Sequence, residues 1–129
     1  MKYNLLDIIS YNQFLLSPKL NELPLSVRYK LSLILPILTP HIQFYEKGQQ
    51  EIAAKYGKKD KEGNFVKTGD GKGIVIEDKF VDDFEKAIKE LNELTVDIDA
   101  NKITCSLDDL EKLNLSIAEL SQISSFIHN

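Results

Sequence analysis

An α+β fold, mostly helical, with one long central helix and a small antiparallel sheet or hairpin, is the class this chain predicts. Three observations carry that expectation. Between Leu23 and Gly57 the apolar positions Val27, Leu31, Ile34, Leu38, Ile42, Tyr45, Ile52 and Tyr56 recur at spacings of three, four or seven, the period of a buried helix face. From Lys58 to Glu77 the pattern changes to a polar, glycine-bearing stretch with two short apolar patches. Near the C-terminus, Ser106-Leu107-Asp108-Asp109 and Ser116-Ile117-Ala118-Glu119 repeat a helix-start signature, the second a capping box.

The elements follow in order. Met1 to Leu6 alternates weakly and suits a short strand, after which Asp7 can cap a helix with Ile8, Tyr11, Phe14 and Leu15 on its inner face. Ser17-Pro18 disrupts that helix, and Leu23-Pro24 holds the chain extended before Ser26, a suitable N-cap. The long helix then runs from about Val27 to Tyr56, roughly 45 Å at 1.5 Å per residue. Pro36 and Pro40 lie inside it. Each removes a backbone donor and crowds the carbonyl four residues earlier. A kink near Ser32 to Pro36 is the preferred reading, against a break with Thr39 as cap and Pro40 in the first turn of a new helix. Gly57 suits a left-handed helix terminator.

Phe65-Val66 and Ile74-Val75-Ile76 read as the arms of a hairpin closed by Thr68 to Gly73. Asp78 opens a helix to about Leu94, with Phe80, Phe84, Ala87 or Ile88, and Leu91 inward and a charged outer face. Val96-Asp97-Ile98 and Ile103-Thr104-Cys105 flank a turn at 99–102, with Val96 and Ile98 directed inward and Asp97 and Asp99 outward. The last helix buries Leu120, Ile123 and Phe126 or Ile127, and His128 falls in a frayed tail.

Size and charge restrict function. At 129 residues the chain is expected to form a single domain spanning 1–129 around one core. No apolar run approaches the roughly 20 residues that cross a bilayer, so no membrane association is expected. Asp7 interrupts any signal-peptide core, so a place inside a cell is expected. Net charge is -4, divided unevenly: residues 1–77 carry 11 Lys and Arg against 8 acids (+3), and residues 78–129 carry 5 against 12 (-7). Arg28 is the one arginine, and arginine supplies the bidentate fork for phosphates and base edges; nucleic acid is not an expected partner.

Candidate chemistry is sparse. Cys105 is the one cysteine and reads as a small apolar residue at a strand end. His41 and His128 are too far apart for a spaced metal-ligand pair. Gly69-Asp70-Gly71-Lys72-Gly73 has glycines for an anion cradle, but Lys72 precedes Gly73 and a strand-like run, where a phosphate loop requires Ser or Thr and a helix. No catalytic residue, cofactor or metal is expected. Two charged surfaces remain as candidate partner-binding faces. One is the lysine-rich hairpin with Lys58, Lys59, Lys61 and Lys72. The other is the acidic helix with Asp82, Asp83 and Glu90.

The order of features resembles a known family: Leu23-Pro24, Tyr29-Lys30-Leu31, a long helix ending in Lys55-Tyr56-Gly57, then Lys59-Asp60-Lys61-Glu62-Gly63, Val96-Asp97-Ile98 and Leu115 to Leu120. It is similar to small α+β proteins encoded by bacteriophages and prophages, a family of uncharacterised function; the chain departs from the family pattern at Pro36 and Pro40. The resemblance implies a phage or prophage origin and a small mixed α/β fold; the host cell cytoplasm or the virion is the expected location. The expected role is that of a non-enzymatic accessory protein that binds a phage or host protein, or a second copy of itself, in the virion or during assembly. The alternative expectation is an inhibitor of a bacterial anti-phage defence system, binding a defence protein or sequestering a nucleotide signal.

Overall fold

The computed structural model describes residues 1–128 and is an α+β fold, mostly helical, with a long helix and a small antiparallel sheet. Two compact units make up the chain, one from residues 1–42 and 95 onward, the other from Gln43–Leu94.

In the first unit, β1 (Lys2–Asn4) leads directly into α1 (Leu5–Leu15), which starts two residues before the expected cap Asp7. β1 pairs antiparallel with β2 (Thr95–Asp97), Tyr3 facing Val96. The N-terminal ammonium closes that register with a 2.9 Å bond to Asp97. A 3-10 turn over Pro18–Glu22, capped by Ser17, follows α1. α2 (Leu25–Ser32) begins one residue after Pro24, so Ser26 lies inside the helix and is not its cap.

α2 and α3 (Leu35–Tyr56) are separate helices. The expected kink is therefore a break, set at Leu33-Ile34 rather than at Thr39. Its cause is Pro36, which has no N–H to offer the Ser32 carbonyl and would crowd it in a continuous helix. The chain tightens instead: Leu33 and Ile34 donate to the carbonyls of Lys30 and Leu31, and the Ile34 carbonyl then accepts from Ile37 and Leu38 to open α3. Pro36 thereby sits in a first turn, where a missing donor costs little. Pro40 is carried inside α3, and the Thr39 hydroxyl there donates back to the Leu35 carbonyl.

α4 (Val81–Glu93), in the second unit, precedes β2; after β2, Asp99 caps α5, a single turn over Ala100–Ile103. Then come β3 (Cys105–Ser106), α6 (Leu107–Leu110) and α7 (Ile117–Ile123). The capping box at Ser116 and Glu119 forms in both directions. A 3-10 turn (Ser124–Phe126) leads into β4 (Ile127–His128), which pairs parallel with β3. Three expectations are corrected here. Residues 100–103 form the single turn of α5, Ile103 included, rather than a turn between two strands, and the strands to either side, β2 and β3, pair with β1 and β4. His128 is held in a strand beside Ser106. Leu120 stays 36% exposed, the inward positions being taken by Ile123 and Phe126, both fully buried.

The core of this unit gathers Ile8, Tyr11, Phe14, Leu31, Ile34, Leu38, Ile98, Ile103, Leu110, Ile123 and Phe126, among others. At its centre the Phe126 ring is stacked between Tyr11 (centroids 4.1 Å apart, 6° between planes) and Tyr3 (4.9 Å, 18°). The Tyr11 hydroxyl, buried with its ring, donates to the Ile103 carbonyl.

In the second unit the later part of α3 packs against α4 at Gly48, where a Cβ would come within 3.0 Å of Leu91 Cδ1, and the Tyr45 hydroxyl donates to Asn92 Oδ1. Between the two helices, residues 57–76 form three short extended segments joined in a closed cycle. Lys58 donates to the Val75 carbonyl, Val75 to Val66, and Val66 back to Lys58, at 2.7–2.8 Å. Antiparallel bridges Gly57–Ile76, Lys59–Phe65 and Lys67–Ile74 flank these bonds. The expected hairpin from Val66 to Val75 is thus present, together with an unforeseen one over Lys58–Asn64. Gly63 (φ 85°) and Gly71 (φ 73°) make their turns. Gly57 does not adopt the left-handed conformation. It is glycine for space: a Cβ there would lie 2.7 Å from the Ala53 carbonyl and 2.8 Å from Ile74 Cγ2.

Candidate functional site

The seven charged residues singled out in the sequence all fall in the second unit, and all are exposed. Lys58 and Lys59 lie on the first segment of the cycle, where the Lys59 ammonium stands 5.2 Å from the Phe65 ring centre. Lys61 belongs to the turn that Asp60 organises by accepting from the Glu62 and Asn64 amides. Lys72 is in the Thr68–Gly73 turn. Asp82 and Asp83 occupy the first turn of α4, where carboxylates favour the helix dipole, and Glu90 lies further along it. The structure does not draw these seven into one constellation; Lys72 lines a cleft.

That cleft, of about 500 Å³, has an apolar floor of Ala53, Ile74, Ile76, Phe84 and Ile88 and a rim carrying Glu46, Gln49, Gln50 and Lys72. In the glycine-rich turn beside it the Gly71, Lys72 and Gly73 amides are bonded within the turn. Asp70 accepts from the Lys72 amide and from the Thr68 hydroxyl, whose oxygen in turn accepts from the Gly73 amide. Those bonds hold the Asp70 carboxyl below the usual carboxylate range, the Thr68 hydroxyl first among the causes.

The face that sequence reasoning overlooked is on α2, in the first unit. Leu25, Tyr29 and Leu33, spaced by four residues, are 73%, 65% and 54% exposed. Leu25 and Tyr29 lie on the opposite side of α2 from the buried Leu31; Leu33, the residue that follows the helix, ends their stripe and also lines the cleft that Leu31 borders. The spacing was legible all along. The period of Val27, Leu31, Ile34 and Leu38, which do face inward, does not by itself separate a second apolar stripe from the first. The charges beside this ridge, Arg28 and Lys30, are both cations. Arg28 Nε is pinned to the Leu23 carbonyl at 3.0 Å, and Lys30 Nζ stands 3.9 Å from Asp109, too far for a hydrogen bond.

A second cleft of the first unit, about 390 Å³, is bounded by α2, α5, β3 and β4. Cys105 lines it, but burial raises the thiol above its ordinary pKa, which opposes the thiolate a nucleophile requires. Tyr11, bonded to the Ile103 carbonyl, is shifted upward by burial as well. His41 is half-buried on α3. Among the described residues no three of His, Cys, Asp and Glu are grouped to hold a metal ion, and no helix is long and apolar enough to cross a membrane. Comparison of the chain with family models, curated proteins and solved structures finds no match.

Proposed function

We propose that this chain is a non-enzymatic binding protein, a phage or prophage accessory protein whose contact surface is the α2 ridge of Leu25, Tyr29 and Leu33. The observation that carries the reading is the simultaneous exposure of three large apolar side chains on one helix face, away from the core that the same helix helps to build. Scattered exposed leucines are ordinary, whereas an aligned apolar stripe is what a partner's groove covers. Tyrosine suits such a position because it supplies a large rigid area with a polar end.

The flanking charges narrow the partner. With Arg28 and Lys30 beside the ridge, two copies pairing α2 against α2 would oppose like charges, which disfavours a symmetric dimer through this face. A protein with an apolar groove and an acidic rim is the complementary occupant.

The test is co-purification from phage-infected cells with three variants. One is Leu25→Ser with Tyr29→Ser. The second replaces Lys58, Lys59, Lys61 and Lys72 by Gln, and the third replaces Asp82, Asp83 and Glu90 by Asn or Gln. A partner retained by the two charge variants and lost from the ridge variant supports the reading. Retention by the ridge variant with loss from either charge variant overturns it and returns the contact to the corresponding charged surface. Identity of the partner as a virion or a host defence protein separates the two biological settings.

A further inference from the structure

We infer that the cleft bounded by α2, α5, β3 and β4 is a binding site for a phosphate monoester carried on a small apolar or planar group. Two lysines from distant parts of the chain, Lys30 from α2 and Lys102 from α5, line it together with His128 from β4. The parallel pairing of β3 with β4 sets His128 beside Ser106, so this convergence is built by backbone register rather than by a flexible loop. Asn101, Thr104 and Ser106 add amide and hydroxyl side chains to the same wall. Together they match the needs of a compact dianion, for which several oxygen acceptors must be met at once.

One carboxylate, Asp109, is present, and its 3.9 Å separation from Lys30 leaves that ammonium, 67% exposed, able to turn to a ligand. Leu31, Leu33 and Ile34 supply an apolar side, which bare inorganic phosphate would leave unused. The volume, about 390 Å³, fits a small ligand. The cleft beside Lys72 is less suited, because its rim carries that one cation together with Glu46, and the Gly71, Lys72 and Gly73 amides are bonded within the turn.

The test titrates phenyl phosphate, inorganic phosphate and phenol into the full chain, following backbone amide and imidazole signals by NMR. Phenyl phosphate is expected to shift Asn101, Thr104, Ser106 and His128, and to bind more tightly than either fragment. Lys102→Gln, an exposed position whose replacement leaves the core untouched, is expected to weaken it by roughly tenfold or more, as loss of a charge-assisted contact does. The paired Lys58→Gln and Lys59→Gln variant is expected to bind as the parent does. Shifts centred on Lys58 to Lys72, an unchanged affinity in Lys102→Gln, or phenol binding as tightly as phenyl phosphate would each overturn the assignment. The Leu25→Ser and Tyr29→Ser variant leaves Lys30, Leu33 and the rest of the cleft lining unchanged and should keep phenyl phosphate binding, so a failure of this site and a failure of the protein-contact ridge are read apart.

Discussion

Replacing Phe126 attacks the centre of the first unit. Its ring is fully buried, with Tyr11 at 4.1 Å on one side and Tyr3 at 4.9 Å on the other. Phe126→Ala removes the ring and leaves a void that the two tyrosines cannot both collapse into, and such truncations cost about 3–5 kcal/mol. Phe126→Leu keeps most of the apolar volume and loses the two ring contacts, each worth about 0.5–1.5 kcal/mol beyond area, for a total of about 1–3 kcal/mol. Against a typical domain stability of about 5–15 kcal/mol, the alanine variant is severe and the leucine variant measurable. Urea denaturation followed by far-UV circular dichroism reads both, and near-UV dichroism reports the stack directly, because the chain has tyrosines and no tryptophan. With a slope of about 1–3 kcal/mol per molar urea, Phe126→Leu should lower the midpoint by roughly 1 M. A loss below about 1 kcal/mol for Phe126→Ala, with the near-UV signal intact, would refute the claim that this stack organises the core.

Gly57→Ala is expected to cost about 1–3 kcal/mol by overpacking against the Ala53 carbonyl and Ile74, whereas Gly69→Ala, in open space at negative φ, should be neutral or slightly stabilising; thermal melts of the pair decide it. Glu119 is held below its ordinary pKa of 4.5, first by the Lys19 ammonium and then by the Ser116 amide. A carboxyl depressed by folding stabilises above its unfolded pKa and loses that contribution as pH falls through the folded one. Glu119→Gln should therefore be less stable than the parent at pH 7, with the gap closing below about pH 4, as denaturation across pH 2–7 would register. Cys105, buried and with its thiol pKa raised by that burial, should react with a disulfide reagent only when the chain is unfolded in urea; rapid labelling of the native protein would contradict the packing described.

Much of the helical organisation was readable from spacing. Leu31, Ile34, Leu38 and Tyr45 are buried as their period implies, and Ser116 with Glu119 forms the expected capping box. The hairpin closed by Thr68 to Gly73 was also legible, because Asp70 and Gly71 carry turn chemistry in their own side chain and backbone. The errors came where one local signal admits two geometries. A proline in an apolar run is compatible with a kink or a break, and at Pro36 the choice went to a break because Leu33 and Ile34 find carbonyls in the preceding turn. A glycine after a helix is compatible with a left-handed cap or with close packing, and Gly57 serves the second. The candidate binding face was missed because α2 carries two apolar stripes, and period alone does not say which one the core covers.

The Ser116–Glu119 capping box, the Thr68–Gly73 turn, the buried period of Leu31, Ile34, Leu38 and Tyr45 and the absence of a long apolar span are local or compositional properties, and sequence alone determined them. Tertiary structure alone decided that the segments flanking Asp99 pair with different strands, that three extended pieces close into a cycle at Lys58, Val66 and Val75, and that Lys30, Lys102 and His128 line one cleft. Such pairings join residues far apart along the chain. Their partners are selected by which combination satisfies backbone groups and buries apolar surface together, a choice no short window of sequence encodes.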